Sequence, residues 1–371
     1  MSADQTNSRR IFLQKMARNG ALLTGVPIIA PSILKDEEQK EGGIKETENR
    51  LPLKIWLSAG LSEGIENEIK AISPQITFYK TQSEEDKRKI LSEINACWGS
   101  ISEADLKLAK NLKWVHSPSA GVENYLYPEM MQRKDIEISN AKGCYAPAIA
   151  EHTLGMLFAL TRGIKEQSLN MPLHQWKGVE NQVEMRNKTM GIIGFGGIGR
   201  EIARRAKALD LKILAADIRP LYSETSGNIA DELYDMNFGG FEKVLENSDI
   251  IVCAAPHTRK SEKIFDEKAF RKMPEGAYFI NVSRGKLVNT DDLIKVLDDG
   301  HIAGVALDVT DPEPLPPDHK LWDCKNAIIT SHISGVSQYS RLRSEQVFAA
   351  NVKRYVNDLP LMNKVDKEAG F

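Results

Sequence analysis

Three residues that follow apolar runs have types suited to acid–base and anion chemistry: Arg284, Glu313 and His332. Arg284 lies in Asn281-Val282-Ser283-Arg284-Gly285, and Glu313 in the proline-rich loop Asp308-Val309-Thr310-Asp311-Pro312-Glu313-Pro314. His332 follows Thr330-Ser331. A guanidinium can hold a carboxylate through two parallel hydrogen bonds. An imidazole can give a proton to a carbonyl oxygen, or take one from a hydroxyl in reverse. A carboxylate beside that imidazole favours its charged form and fixes its orientation. The three types together suit chemistry on 2-oxo and 2-hydroxy acids. Singly, each has an ordinary explanation: Arg284 as a strand cap, Glu313 as a solvated loop charge, His332 as a core histidine. Their joint placement at strand ends beside a nucleotide-binding unit is what points to catalysis.

That unit is Gly194-Phe195-Gly196-Gly197-Ile198-Gly199. It follows the apolar run Thr189–Ile193 and leads into a helical pattern in which Ile198, Ile202, Ala206 and Leu209 share one face. A second apolar run, Ile213–Ala216, ends at Asp217, 18 residues beyond Gly199. Strand, glycine turn, helix, strand and acid make a dinucleotide-binding unit at the expected spacing. Gly194 permits the tight turn, Gly196 lets the backbone approach a pyrophosphate, and Gly199 lets the helix pack on the strand. The helix start offers free N–H groups to phosphates. Asp217 can accept hydrogen bonds from a ribose 2′-OH and favours NAD, since its charge opposes a 2′-phosphate. Arg219, two residues on, is suited to such a phosphate, so NADP stays open.

Elements must carry these residues. A first set of strands is read at Lys54–Ser58, Ile76–Tyr79, Ala96–Gly99 and Trp114–Ser117. A second adds Asp249–Ala254, Tyr278–Val282, Gly304–Asp308 and Ala327–Thr330 to the two strands of the glycine unit. Short, nearly continuous apolar strands separated by helices predict parallel sheets covered on both faces. The fold class is therefore α/β, with two doubly wound domains. A long helix over 147–165 bridges them, and a C-terminal helix from Tyr339 returns to the first. Ligands of such sheets bind at the carboxyl ends of the strands. Trp56, Trp98 and Tyr125 lie near plausible pocket loops, where aromatic residues are more often core.

The first 34 residues differ from the rest. Ser8-Arg9-Arg10-Ile11-Phe12-Leu13-Gln14-Lys15 resembles a twin-arginine export motif, and the apolar stretch Ala21–Leu34 follows it. That stretch is short for a membrane span and carries two prolines, so a signal-peptide core is expected and, with it, a periplasmic location. A cytosolic amphipathic helix is the alternative. Residues 35–50, rich in Lys and Glu, read as a flexible linker. The net charge of −2 over 371 residues, without a long basic cluster, does not favour nucleic acid as a partner. Cys97, Cys144, Cys253 and Cys324 form no CxxC pair and no zinc spacing, so no metal site is expected.

With these residues in place, the chain resembles the D-isomer-specific 2-hydroxyacid dehydrogenases over roughly residues 51 to 371. The matching segments are Ser119-Ala120-Gly121-Val122, Ala150-Glu151-His152-Thr153, the glycine unit, Asn281–Gly285, Ala306–Val309 with Glu313-Pro314, and His332-Ile333-Ser334-Gly335. The resemblance implies a Rossmann NAD-binding domain at 150–333 inserted in a flavodoxin-like substrate domain made of 51–149 and 334–371. It implies that Arg284 binds the substrate, that His332 is the acid/base and that Glu313 pairs with it. The backbone of Ala120, Gly121 and Val122 would hold the carboxylate. Gly194, Gly196, Gly197, Ile198, Gly199, Asp217, Ala255, Val282, Ser283, Arg284, Asp308, His332 and Ser334 would contact the cofactor. A homodimer and passage through export machinery are the implied partnerships. Ser331 stands where many members have proline, and Asn289 where many have aspartate. A formate-oxidising branch usually has Gln at Glu313, which weakens that assignment. A nucleotide-binding sensor without turnover is the reading from another class.

Overall fold

The computed structural model describes residues 52–180, 182–219 and 229–370. The export segment at 1–34 and the linker at 35–50 lie outside the described residues. Twelve strands are described: β1 Leu53–Leu57, β2 Ile76–Tyr79, β3 Ala96–Trp98, β4 Trp114–Ser117, β5 Glu137–Asn140, β6 Thr189–Ile193, β7 Lys212–Asp217, β8 Glu232–Asp235, β9 Ile250–Cys253, β10 Ala277–Asn281, β11 Ile302–Leu307 and β12 Ala327–Ile329. They form a five-stranded sheet in the order β2-β1-β3-β4-β5 and a seven-stranded sheet in the order β12-β11-β10-β9-β6-β7-β8. Every strand pair in both sheets is parallel. This is the two-domain, doubly wound α/β architecture expected.

The central strands β6, β9 and β10 are buried along most of their length, as covering helices on both faces require. The helix Gly197–Lys207 buries Ile202, Ala203 and Ala206 against β6 and β7. The helix Ala146–Thr161 joins the same core through Ile149, Ala150, Met156 and Leu157. The C-terminal helix Ser340–Val356 packs instead on the five-stranded sheet. Its Phe348 is fully buried beside Trp98 and Trp114, with ring centroids 4.6 and 5.5 Å away. Burying such a ring contributes roughly 1.5–3 kcal/mol, which helps hold this helix to a sheet whose strands lie far earlier in the chain.

Two strands and one helix boundary differ from expectation. The additional strands are β5 and β8. The segments Glu-Ile-Ser-Asn and Glu-Leu-Tyr-Asp carry too few apolar residues to read as strands, and both lie at sheet edges. The bridging helix ends at Thr161 rather than 165. Gly163 adopts a left-handed conformation (φ 64°), and a separate helix, Ile164–Asn170, begins after it. Trp56, Trp98 and Tyr125 are buried core residues. Cys97, Cys144 and Cys253 are buried too, and burial pushes each thiol up to about 12.

Candidate functional site

The glycine turn follows the carboxyl end of β6. Gly194 has φ +93°, and a Cβ there would lie 2.5 Å from the Ala255 backbone nitrogen. At Gly199 a Cβ would lie 2.3 Å from the Gly194 carbonyl oxygen. Side chains at these two positions would collide with the chain's own backbone. Gly196 is different: a Cβ there would have nothing within 4 Å, and the space above it is open. The helix beginning at Gly197 has no side-chain cap on its first N–H groups, Ile198 among them. Asp217, at the end of β7, is fixed by the N–H groups of Phe195 (2.7 Å) and Arg219 (2.8 Å). Open backbone at Gly196, an uncapped helix start and an immobilised acid fit the pyrophosphate and ribose of a dinucleotide.

β10, β11 and β12 are adjacent, so the loops after them are neighbours. After β10, the Asn281 side chain accepts from Ser283 N–H (3.0 Å) and donates to the Arg284 carbonyl (2.9 Å). That carboxamide shapes the turn that presents Arg284. The Ser283 hydroxyl donates to the Ala255 carbonyl, tying this turn to the loop after β9. Gly285 lets the next loop approach, since a Cβ there would lie 1.9 Å from the Thr310 carbonyl oxygen. Val282 and Ala255 are buried beneath these loops.

Asp308, at the end of β11 and 1 % exposed, organises the turn carrying His332. Its carbonyl accepts from His332 N–H at 2.8 Å. Its carboxylate accepts from the N–H groups of Ile333 (2.9 Å) and Ser334 (3.0 Å) and from the Thr330 hydroxyl (2.6 Å). Burial raises the Asp308 pKa, but the hydrogen bonds from Ser334, Thr330 and Ile333 outweigh it and hold it below the usual carboxylate value. His152 Nε2, from the Ala146–Thr161 helix, meets the Thr330 hydroxyl at 3.0 Å. The turn places His332 in the left-handed region (φ 55°). Its Nδ1 lies 2.6 Å from Glu313 Oε1. Both side chains are close to half exposed, open to a reactant.

Arg284 does not pair with Glu313 or His332. Its Nε donates to Glu123 Oε1 at 2.9 Å, and its Nη1 to the Ser283 carbonyl at 2.7 Å. Glu123 follows the Ser119–Val122 loop after β4, so the pair joins loops from the two sheets. The guanidinium lies directly over Gly121, where a Cβ would come 1.9 Å from Nη2. Ala120 is held through its carbonyl, which accepts from Asn140 Nδ2 at 2.7 Å, and Val122 is buried. Burial raises the Glu123 pKa, while Arg284, the local backbone and His257 pull it down, with a net lowering. His257 Nε2 is buried and has no hydrogen-bond partner among the described residues.

Glu123, His152 and Thr330 join the site without having been marked as site residues by the sequence. His152 is visible there as part of a matching segment, and Glu123 is the residue directly after another. Neither spacing nor residue type shows that a side chain 161 positions before Arg284 will touch it.

A family model described as D-isomer specific 2-hydroxyacid dehydrogenase, NAD binding domain, matches residues 154–334. A glyoxylate reductase of Thermofilum pendens is 35% identical over 249 residues, covering 66% of this chain and 72% of its own. Among solved structures, a D-isomer specific 2-hydroxyacid dehydrogenase family protein from Aeromonas salmonicida is similar, with a TM-score of 0.72 and 28% identity. The match covers 85% of this chain and 100% of that one. An NADPH-dependent glyoxylate/hydroxypyruvate reductase from Sinorhizobium meliloti, solved with NADP and sulfate, has a TM-score of 0.71 and 25% identity over 86% of this chain and 100% of its own.

Proposed function

This chain belongs to the D-isomer-specific 2-hydroxyacid dehydrogenases, NAD(P)-dependent oxidoreductases acting on the CH–OH group of their donors, and on that premise we propose how its own residues divide the work. The nicotinamide, when bound, supplies the hydride to C2 of a small 2-oxo acid, or removes it from a D-2-hydroxy acid. Arg284 binds the carboxylate and the neighbouring carbonyl, with the backbone of Ala120, Gly121 and Val122 holding the carboxylate from the other side. His332 gives the proton to the carbonyl oxygen. Glu313 accepts a hydrogen bond from Nδ1, which leaves Nε2 to carry the exchanged proton, and it stabilises the imidazolium. Gly194, Gly196, Gly197, Ile198 and Gly199 would hold the pyrophosphate of the dinucleotide and Asp217 its ribose, with Ala255, Val282, Ser283, Asp308 and Ser334 lining the rest of its site. The substrate unit is 51–149 with 334–371, and the nucleotide unit is 150–333.

The observation that carries this reading is the 2.6 Å His332–Glu313 pair, on loops at the same carboxyl edge of the seven-stranded parallel sheet as the glycine turn. Glyoxylate-like and hydroxypyruvate-like acids are the substrate class, in keeping with the reductases among the relatives. The test is oxidation of NADH and NADPH by the purified chain over glyoxylate, hydroxypyruvate, pyruvate and longer 2-oxo acids. Turnover abolished in His332→Ala supports the reading. Nucleotide binding without turnover on any acid would move the weight to a sensor on the same fold.

Three finer features belong to the same proposal. NAD is the preferred nucleotide, because Asp217 is immobilised by two backbone N–H groups and cannot swing aside for a 2′-phosphate. The chain works as a homodimer, supported by the exposed apolar side chains Leu169, Met171, Leu173 and Trp176. It is exported through the twin-arginine route, supported by the Ser8–Lys15 motif, and acts in the periplasm. Cell fractionation of the full chain against Arg9→Lys/Arg10→Lys tests the last point, and an unchanged distribution would refute it.

A further inference from the structure

We infer that Glu123 is a positioning residue for the reaction, one that reaches across the cleft to fix the Arg284 guanidinium and leave its Nη2 end for the substrate. The inference rests on the reading of Arg284 as the carboxylate-binding residue.

A guanidinium is a rigid plane with five N–H donors. Anchoring two of its nitrogens fixes both the plane and the direction of the third. Here Nε is anchored on Glu123 Oε1 at 2.9 Å and Nη1 on the Ser283 carbonyl at 2.7 Å. The anchors come from opposite sides of the cleft, Ser283 from the end of β10 and Glu123 from the loop after β4. Nη2 lies over Gly121, where a Cβ would come 1.9 Å from it and 2.6 Å from Glu123 Oε2. Glycine at 121 is therefore what lets the anchored guanidinium sit against the loop assigned to the carboxylate. The Glu123 carboxyl is held below its usual pKa, so it is ionised at neutral pH and its hydrogen bond to Nε is charge-assisted. Without Glu123, one backbone carbonyl would remain as the anchor, and a long side chain, about one-third exposed, would sample other rotamers.

The opposite hypothesis is that Glu123 competes with the substrate for Arg284. The two make opposite predictions for KM. With the purified full chain, saturating NADH and the best acid of the panel, Glu123→Ala should raise KM roughly 10- to 100-fold, the scale of a charge-assisted hydrogen bond. NADH affinity, read by fluorescence, should not move. Glu123→Gln keeps an acceptor oxygen at the same reach and should restore most of the loss. A merely structural role would instead lower thermal stability and nucleotide affinity together with the rise in KM, and that result would overturn the inference. Glu123→Ser serves as the second truncation if the alanine variant folds poorly. An unchanged or lowered KM in the truncated variants, with wild-type turnover intact, would overturn the inference alone. A wild-type chain that binds NADH and reduces none of the acids would overturn the reductase reading, and the inference with it.

Discussion

His332 and Glu313 meet at 2.6 Å although they sit on loops after different strands, β12 and β11. Their meeting depends on Asp308, whose carbonyl and carboxylate hold the backbone of His332, Ile333 and Ser334 in the turn that brings the ring to Glu313. Replacing His332 by Ala should lower kcat/KM by about 100- to 10,000-fold, the usual contribution of a positioned acid–base group. Glu313→Gln should cost less, because an amide still accepts from Nδ1. Steady-state NADH oxidation reads both, and equal activity of His332→Ala and wild type would refute the assignment.

The glycines separate fold from ligand. Gly199→Val places side-chain atoms against the Gly194 carbonyl and should destabilise the chain by about 1–3 kcal/mol or more. Gly196→Val points its first side-chain carbon into open space and should leave Tm nearly unchanged while weakening NADH binding. Thermal unfolding beside a nucleotide titration checks the pair, and a Gly196 variant that binds NADH normally would show that no backbone approach occurs there.

Asp217→Ala should weaken NADH binding and narrow the preference over NADPH by roughly tenfold, the scale of about 1.4 kcal/mol. The ratio of kcat/KM for the two nucleotides measures it. A preference for NADPH already present in the wild type would contradict the role given to Asp217.

His116 is fully buried, with Nδ1 on the Ser139 hydroxyl at 2.7 Å and the ring stacked on Trp98. Burial depresses its pKa to about 3. Because the folded value lies below the unfolded one (about 6.5), the unfolded chain binds more protons between the two. Stability from this residue is complete above about pH 6.5 and falls by up to about 1.4 kcal/mol per pH unit as pH drops toward 3. Denaturant unfolding at pH 7 and pH 5 should show a smaller loss in His116→Phe than in wild type. Equal losses would exclude His116 as a source of acid sensitivity.

If the proposed homodimer forms through this segment, Trp176→Glu should shift it to monomer in analytical ultracentrifugation, since a charge on an exposed indole site opposes apolar association. A sedimentation coefficient identical to wild type would remove that segment from any interface.

The sequence by itself determined the local units. The glycine turn and Asp217 are specified by spacing within one strand–helix–strand unit, and ten of the twelve described strands announce themselves as apolar runs. Arg284, Glu313 and His332 are legible as polar residues following such runs. β5 and β8 are not: β5 fills two of its buried positions with the polar Ser139 and Asn140, and β8 has no fully buried residue to demand an apolar run. Tertiary structure alone decided which distant residues meet. Glu123 reaches Arg284, and His152 reaches Thr330 and through it Asp308, only because two sheets and a bridging helix set loops far apart in the chain beside one another. Such contacts arise from the packing of whole elements. Periodicity and spacing describe one element at a time, so they carry no record of it.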